Sequence, residues 1–128
     1  MIYLDSSVAL AQLLTERRTP GEDFWRETLV ASRLLEYEIW TRIHARGLTH
    51  SHSEPARDLL RHVEFIEMTR IVLSRVLEPL PTPVRALDAM HLATIDFLRR
   101  QGNDVALASY DKRLLTAAAA LDIAAYPL

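Results

Sequence analysis

The chain contains no cysteine, which excludes disulfide bonds and thiolate metal sites. Any metal ion must therefore be held by oxygen atoms or imidazole rings, and a reducing cytoplasm is compatible with this composition. The sequence also lacks an apolar run of the about 20 residues that cross a bilayer, and its first apolar run begins at Met1, where a secretory leader would stand. We expect a cytoplasmic protein with no membrane partner.

An excess of positive charge is absent as well. The formal net charge is −2, and Lys112 is the only lysine. A general cationic surface for nucleic acid is not expected, because such binding needs clustered positive charge to release counterions. A local arginine rim or a metal ion would have to hold a phosphate group.

What the sequence does contain is enough apolar material for a core. Of its 128 residues, 49% are hydrophobic and 25% are charged, as in ordinary soluble globular domains. This length suffices for one core and not for two. We therefore expect a single domain over residues 1–128 with a single site.

Apolar runs and helical patterns alternate along the whole chain. Compact apolar runs predict strands at residues 1–4, 29–32, 65–68, 105–109 and 123–126. Helical spacing with start and stop signals predicts helices at 8–14, 22–27, 33–46, 53–62, 69–77, 85–99 and 112–121. Alternation without hairpin signals predicts an α/β fold with a central parallel sheet of four to five strands, flanked by helices on both faces.

Three acidic residues stand where such a sheet gathers its ends. Asp5 follows the first strand, Asp111 follows the fourth, and Asp88 lies in the first turn of the long helix. Ligands bind at the carboxyl ends of the strands in open parallel sheets. Structural roles are the alternative: Asp5 as a helix cap, although Ser6 or Ser7 also suits that position, and Asp88 as a partner of the helix dipole.

The helix over residues 33–46 carries two further acids. At about 100° per residue, Glu38 falls on the side of the apolar Leu34 and Leu35, whereas Glu36 lies about 200° away from Glu38. Glu38 is therefore the better candidate for an inward-facing acid, and Glu36 for a solvated one.

Several carboxylates that come together repel one another unless a cation lies between them. Hard oxygen ligands without cysteine suit Mg²⁺ or Mn²⁺ better than zinc. Asp5, Glu38, Asp88 and Asp111 therefore predict metal-assisted hydrolysis of a phosphodiester, with these four side chains as metal ligands.

The histidines offer weaker signals. His91 stands three residues after Asp88 and could contact it, but a packed, hydrogen-bonded histidine is the favoured interpretation in an apolar helix. His50 and His52 are expected on a polar loop, where the absence of a third ligand argues against a metal site.

Four short motifs follow one another over essentially the whole chain. They are Ile2-Tyr3-Leu4-Asp5-Ser6-Ser7, Ser32-x-Leu34-x-x-x-Glu38, Leu87-Asp88-Ala89-Met90-His91-Leu92-Ala93 and Ser109-Tyr110-Asp111-x-Arg113-Leu114. In this order and at this spacing, they resemble the PIN-domain ribonucleases, and among them the VapC-type toxins of bacterial toxin–antitoxin pairs. The resemblance implies a Mg²⁺- or Mn²⁺-dependent endoribonuclease that acts on RNA, is usually a homodimer, and is neutralised by a cognate antitoxin that inserts a segment into its active-site groove.

Carried over to this chain, the resemblance implies that the metal-binding and catalytic acids are Asp5, Glu38, Asp88 and Asp111. Ser6 and Ser109 would be supporting hydroxyls that position acids, water or substrate. The acidity of the chain leaves the RNA-binding surface to local groups. Candidates for a phosphate-binding rim one or two turns beyond the acids are Arg42, Arg46 and Arg113, for which solvated helix faces are the plainer interpretation.

Two alternatives place an acid after the first strand of a parallel sheet. A Mg²⁺-dependent phosphotransfer domain of the haloacid-dehalogenase kind needs a second aspartate at the position of Ser7, and a receiver domain needs one after a mid-chain strand; neither is present. A PIN-like module that has lost turnover and acts only by protein contact is the second alternative, and the full set of acids argues against it.

Overall fold

The computed structural model describes all 128 residues and contains a five-stranded sheet in which every pair of neighbours is parallel. The strands are β1 (Ile2–Leu4), β2 (Leu29–Ser32), β3 (Val63–Ile66), β4 (Ala106–Ala108) and β5 (Ala124–Ala125). Their order is β3-β2-β1-β4-β5, so β1 is the central strand. Its Ile2 is paired with Leu29 on one side and with Ala106 on the other.

Five α-helices connect the strands: α1 (Ser6–Leu13), α2 (Leu34–Ala45), α3 (Thr49–Leu60), α4 (Ala86–Arg100) and α5 (Lys112–Ala120). Two 3-10 helices, Glu22–Arg26 and Ser74–Leu77, complete the regular structure. None of the helices combines the length and the apolar character that a bilayer-spanning segment needs.

The central strands β1 and β2 are buried on both faces, because alternate residues of a strand point to opposite sides and helices cover each side. Ile2 and Leu4 pack with residues of α1, α2 and α3. Tyr3, between them, packs instead with residues of α4 and α5. The two hydrophobic clusters confirm the predicted parallel sheet with helices on both faces, and they leave the carboxyl ends of the strands as the edge where a site can open.

Helix α1 begins earlier than the sequence pattern suggested. Its N-cap is Asp5, whose side chain accepts a hydrogen bond from the Ser7 backbone N–H. Neither Ser6 nor Ser7 is the cap, because the carboxylate at the end of β1 already reaches that N–H and both serines lie inside the first turn.

The predicted loop over residues 49–53 is wrong, because α3 already starts at Thr49 and carries Pro55 inside it. Gly47 has a φ of +68°, which ends α2, and the chain re-enters a helix after a single further residue. His50 and His52 therefore lie on a helix, about 200° apart around its axis, and they belong to no group of potential metal ligands.

The helix predicted over residues 69–77 is also wrong. The structure has turns followed by the short 3-10 helix, and Thr69 Oγ1 accepts a hydrogen bond from the Val72 N–H. Val72 is the only buried residue of this stretch, so there is no continuous apolar face that could hold a longer helix against the core. The preceding strand is shifted by two residues, to Val63–Ile66.

Candidate active site

A cleft of about 550 Å³ lies at the carboxyl ends of β1 and β4. Besides the exposed Glu16, four acids that are far apart in the sequence line it. Each comes from a different element: Asp5 follows β1, Glu38 lies on α2, Asp88 in the first turn of α4, and Asp111 caps α5. The fold therefore brings all four predicted site acids into one cleft.

Asp5 is buried and is oriented by two serine hydroxyls. Its Oδ2 accepts hydrogen bonds from Ser7 Oγ at 2.6 Å and from Ser109 Oγ at 2.8 Å. Each serine oxygen in turn accepts a backbone N–H, Ser7 from Tyr110 and Ser109 from Asp111, both at 2.9 Å. The hydroxyl protons therefore point at Asp5 Oδ2, and Oδ1, which accepts no hydrogen bond from the protein, is the oxygen left for a ligand.

Ser7 is a site residue that the sequence reasoning missed. Ser6 lines the cleft but makes no side-chain hydrogen bond to Asp5, so its supporting role stays a prediction. Ser109 does contact Asp5, as expected for a hydroxyl that positions an acid. Counting residues from the first helical turn could have favoured Ser7, because a capping Asp5 accepts the N–H two residues on.

Glu38 is held from behind by a histidine. Its Oε1 lies 2.6 Å from Nε2 of His91, whose side chain is 1% exposed. His91 Nδ1 is 2.6 Å from the Tyr3 hydroxyl. His91 is thus packed and hydrogen-bonded, as the sequence favoured, but its partners are Glu38 and Tyr3 and not Asp88.

Crowding of negative charge in the cleft contributes to a shift in the pKa of Asp88. Burial, and then the nearby charge of Asp111, raise the pKa of the Asp88 carboxyl above its ordinary value. Arg85 opposes this, with its Nε 3.9 Å from Asp88 Oδ2. Arg85 also lines the cleft and was not recognised in the sequence, although an arginine three residues before a helical acid is within its reach.

Asp111 serves a structural purpose in addition to lining the cleft. Its Oδ1 accepts the backbone N–H of Arg113 at 2.9 Å and that of Leu114 at 3.3 Å, which caps α5. Asp111 thus caps α5 and lines the cleft, and its role as a metal ligand stays a prediction.

The chemistry of the cleft fits Mg²⁺ or Mn²⁺, because five carboxylates line it, those of the four predicted acids and of Glu16, and the chain has no sulfur ligand of the cysteine type. No three histidine, aspartate or glutamate side chains are gathered closely enough to hold an ion as they stand. One oxygen each of Asp5, Glu38 and Asp111 is already hydrogen-bonded, and carboxylates repel one another. The acids thus share a cleft without forming a compact ligand group, and ligation by all four stays a prediction.

The three candidate arginines are placed differently. Arg42 lines the cleft itself. Arg113, together with Arg85 and Asp88, lines an adjoining cavity of about 280 Å³. Arg46 stands at the C-cap of α2, is exposed, and lines neither cavity. A phosphate rim beside the acids would therefore consist of Arg42, Arg85 and Arg113.

Glu36 lies outside the cleft, on another side of α2. It accepts a hydrogen bond from Arg33 at 2.8 Å, and Arg33 also donates a hydrogen bond to Glu67 at 2.7 Å. The hydrogen bond from Arg33 lowers the pKa of Glu67. Glu38, which lines the cleft, is therefore the inward-facing acid of α2, and Glu36 is paired with Arg33 outside it.

Comparison with known proteins assigns the fold to a family. A family model for the PIN domain matches residues 2–120. The chain belongs to the PIN-domain family. The matched range runs from β1 to the end of α5 and includes all four predicted site acids, so the resemblance carried by the four motifs is confirmed.

Two curated relatives of this PIN domain are ribonucleases. The chain is 35% identical over 130 residues to ribonuclease VapC46 of Mycobacterium tuberculosis strain ATCC 25618 / H37Rv. The aligned region covers 96% of this chain and 94% of the relative. It is 31% identical over 123 residues to ribonuclease VapC47 of Mycobacterium tuberculosis strain CDC 1551 / Oshkosh, covering 91% of this chain and 88% of the relative. A receiver or dehalogenase domain is thereby set aside.

Proposed function

We propose that this PIN domain is a Mg²⁺- or Mn²⁺-dependent endoribonuclease and the toxin of a toxin–antitoxin pair that acts in the cytoplasm. The observation that carries the proposal is the cleft at the carboxyl edge of the sheet, where four acids from four elements meet. Two relatives that cover most of the chain are named ribonucleases, which supports RNA as the substrate. The proposed partners are RNA, a cognate antitoxin and a second copy of the chain.

The metal ion would be held by Asp5, Glu38, Asp88 and Asp111. When bound, such an ion supplies positive charge against a phosphate and lowers the pKa of a water molecule. Burial and then the charges of Asp111 and Asp5 raise the pKa of Asp88, and a cation in the cleft would oppose the part that comes from those charges.

The remaining residues of the cleft would prepare and bind the substrate. Ser7 and Ser109 keep Asp5 in one orientation, so its free oxygen needs no rearrangement before a ligand binds. Arg42 lines the same cleft and would bind an RNA phosphate with its planar guanidinium group. These contacts go to the backbone of RNA, so they position the strand without reading its bases.

Replacement of Asp5 tests the reaction directly. Asp5→Asn keeps the shape of the side chain but removes its charge, so we expect cleavage of a structured RNA with Mg²⁺ or Mn²⁺ to fall by about 10²-fold or more. Asp104→Asn is the matched control, because Asp104 is exposed and lies outside the cleft. Chelation by EDTA should abolish cleavage by the wild type.

Two results of this assay would contradict the proposal. One is equal cleavage by wild type and Asp5→Asn. The other is absence of cleavage by a folded wild type under the same conditions, which would favour a PIN-like module that acts only by protein contact.

Growth measurements test the role as a toxin. Expression of the chain without a partner should arrest bacterial growth, and Asp88→Asn should relieve the arrest because the substitution removes one of the acids of the cleft. The measurement is the growth rate after induction, with immunoblotting to confirm equal protein levels. Arrest that persists unchanged in Asp88→Asn would count against this site.

A further inference from the structure

A buried chain of hydrogen bonds runs from the backbone of β2 to Glu38. The Ser32 N–H donates to the Tyr3 hydroxyl at 3.1 Å, and that hydroxyl lies 2.6 Å from His91 Nδ1. His91 Nε2 lies 2.6 Å from Glu38 Oε1. Tyr3 and His91 are 0% and 1% exposed, so the Glu38 carboxylate is where this chain reaches the cleft.

The order of donors along the chain follows from its last bond. A carboxylate can only accept a hydrogen bond, so the proton between His91 and Glu38 lies on Nε2 of His91. A neutral imidazole has one N–H, so Nδ1 then accepts, and the Tyr3 hydroxyl, whose oxygen accepts the Ser32 N–H, donates to it. Packing supports this placement of the ring, because the Tyr3 and His91 rings contact edge to face with centroids 5.8 Å apart.

Nε2 of His91 carries hydrogen for the bond to Glu38 whether the imidazole is neutral or charged. Burial disfavours the charged ring, but the hydrogen bond and the charge of Glu38 outweigh burial and raise the pKa of His91. A protonated ring also carries hydrogen on Nε2. In either state, therefore, His91 donates to Glu38 Oε1.

We propose that His91, held by Tyr3 and the Ser32 backbone, is a positioning residue that binds Oε1 of Glu38 and leaves Oε2 for a metal ion in the cleft. The inference rests on the proposed function, since it gives Glu38 a metal to bind. His91 touches neither substrate nor metal in this arrangement. Partners of this kind, behind a metal ligand, fix its orientation and restrict its motion.

A pair of substitutions at His91 separates positioning from packing. Glutamine places its amide nitrogen near the position of Nε2 and can still donate to Glu38, whereas asparagine is shorter and places its amide near Nδ1. Both bury a polar amide at the same site, so a purely structural role predicts similar behaviour of the two variants. A positioning role predicts that His91→Gln keeps the affinity for the metal ion and that His91→Asn loses it.

The first measurement is the affinity for Mn²⁺ without RNA, by calorimetry on the full chain. We expect His91→Asn to weaken Mn²⁺ binding by about 10- to 100-fold, the usual effect of losing a group that orients a ligand, and His91→Gln to retain most of the affinity. With RNA present, kcat should fall in His91→Asn while KM for RNA stays unchanged, because the RNA-binding arginines are not altered.

The outcomes distinguish this inference from the proposed function. Equal Mn²⁺ affinity of the two variants would overturn the positioning role. If a folded wild type cleaves no RNA but His91→Asn selectively loses Mn²⁺ affinity, the ribonuclease assignment fails and the positioning role stands. Absence of Mn²⁺ binding by the wild type overturns both.

Nitrogen-15 NMR of the wild-type histidine side chains keeps the test independent of how well the variants fold. We expect the Nε2 of His91 to carry a proton and Nδ1 of the neutral ring to carry none. An unprotonated Nε2 would overturn the inference, because the ring could then donate nothing to Glu38.

Discussion

Tyr3 connects the core to the active site through one hydroxyl group. The side chain belongs to the hydrophobic cluster between the sheet and α4 and α5, yet its oxygen forms hydrogen bonds with Ser32 and His91. Burial raises the pKa of the Tyr3 hydroxyl strongly, so the hydroxyl keeps its proton near neutral pH and can donate it to the neutral ring of His91. A single residue on the central strand thus supports both the fold and the position of Glu38.

Removal of this hydroxyl should destabilise the protein. Tyr3→Phe leaves the Ser32 N–H and the His91 Nδ1 without a partner in the core, so we expect the free energy of unfolding to fall by about 1–3 kcal/mol. Tyr37→Phe is the control, because Tyr37 is 54% exposed and its hydroxyl makes no hydrogen bond within the protein. The free energy of unfolding of both variants is measured in urea. Equal values for the two would show that the Tyr3 hydroxyl contributes nothing to stability.

At the scale of elements, the site depends on where helices begin. Asp5 and Asp111 are the N-caps of α1 and α5, and Asp88 lies in the first turn of α4. The positive ends of these helices favour negative side chains, which offsets part of the repulsion among the acids. Glu38 differs, since it lies in the second turn of α2 and has His91 as its partner.

Two substitutions of Asp111 separate the cap of α5 from the site. Asparagine caps a helix about as well as aspartate, whereas alanine cannot, so we expect Asp111→Ala to lose about 1 kcal/mol of stability and Asp111→Asn to lose little. Both remove a carboxylate from the cleft, and both should lose most of the ribonuclease activity. Urea unfolding and RNA cleavage are measured side by side. Full activity in Asp111→Asn would mean that the residue is only a cap.

At the scale of the whole molecule, four elements each bring one negative side chain to the same edge of the sheet. Each helix is attached to the sheet by its own apolar contacts, on one face or the other. The energy that brings the acids together is therefore the burial of both faces of the sheet, and the repulsion at the edge is a cost that folding carries. A ligand that relieves this cost should stabilise the fold.

Divalent metal ions should therefore raise the temperature of unfolding. Binding only to the folded state adds about 2.7 kcal/mol when the ion is present at about 100 times its dissociation constant. We expect Mg²⁺ or Mn²⁺ to raise the midpoint of thermal unfolding, EDTA to reverse the change, and Asp5→Asn to show a much smaller increase. An equal increase in wild type and Asp5→Asn would place the stabilising ion elsewhere. Ca²⁺, measured in parallel, tests whether any divalent ion suffices.

The sequence by itself determined the α/β class, the parallel sheet and the choice of Glu38 over Glu36. These features depend on the local periodicity of strands and helices, which needs no knowledge of distant contacts. The positions of Asp5 and Asp111 after β1 and β4 follow from the same reasoning. The predictions failed where periodicity was weak, as at the start of α3, where a polar run of histidines and serines is helical without an apolar signal.

Only the tertiary structure decided which groups touch. The partner of His91 is 53 residues away, that of Asp5 is 104 residues away, and the Tyr3 hydroxyl meets His91 across 88 residues. The local pattern of the chain does not encode such pairs, since they arise when the two faces of the sheet are covered and its carboxyl edge brings the ends of several elements together. For this reason His91 is paired with Glu38 instead of with its neighbour Asp88. Ser7 and Arg85 differ, since they lie only two and three residues from the acids they contact.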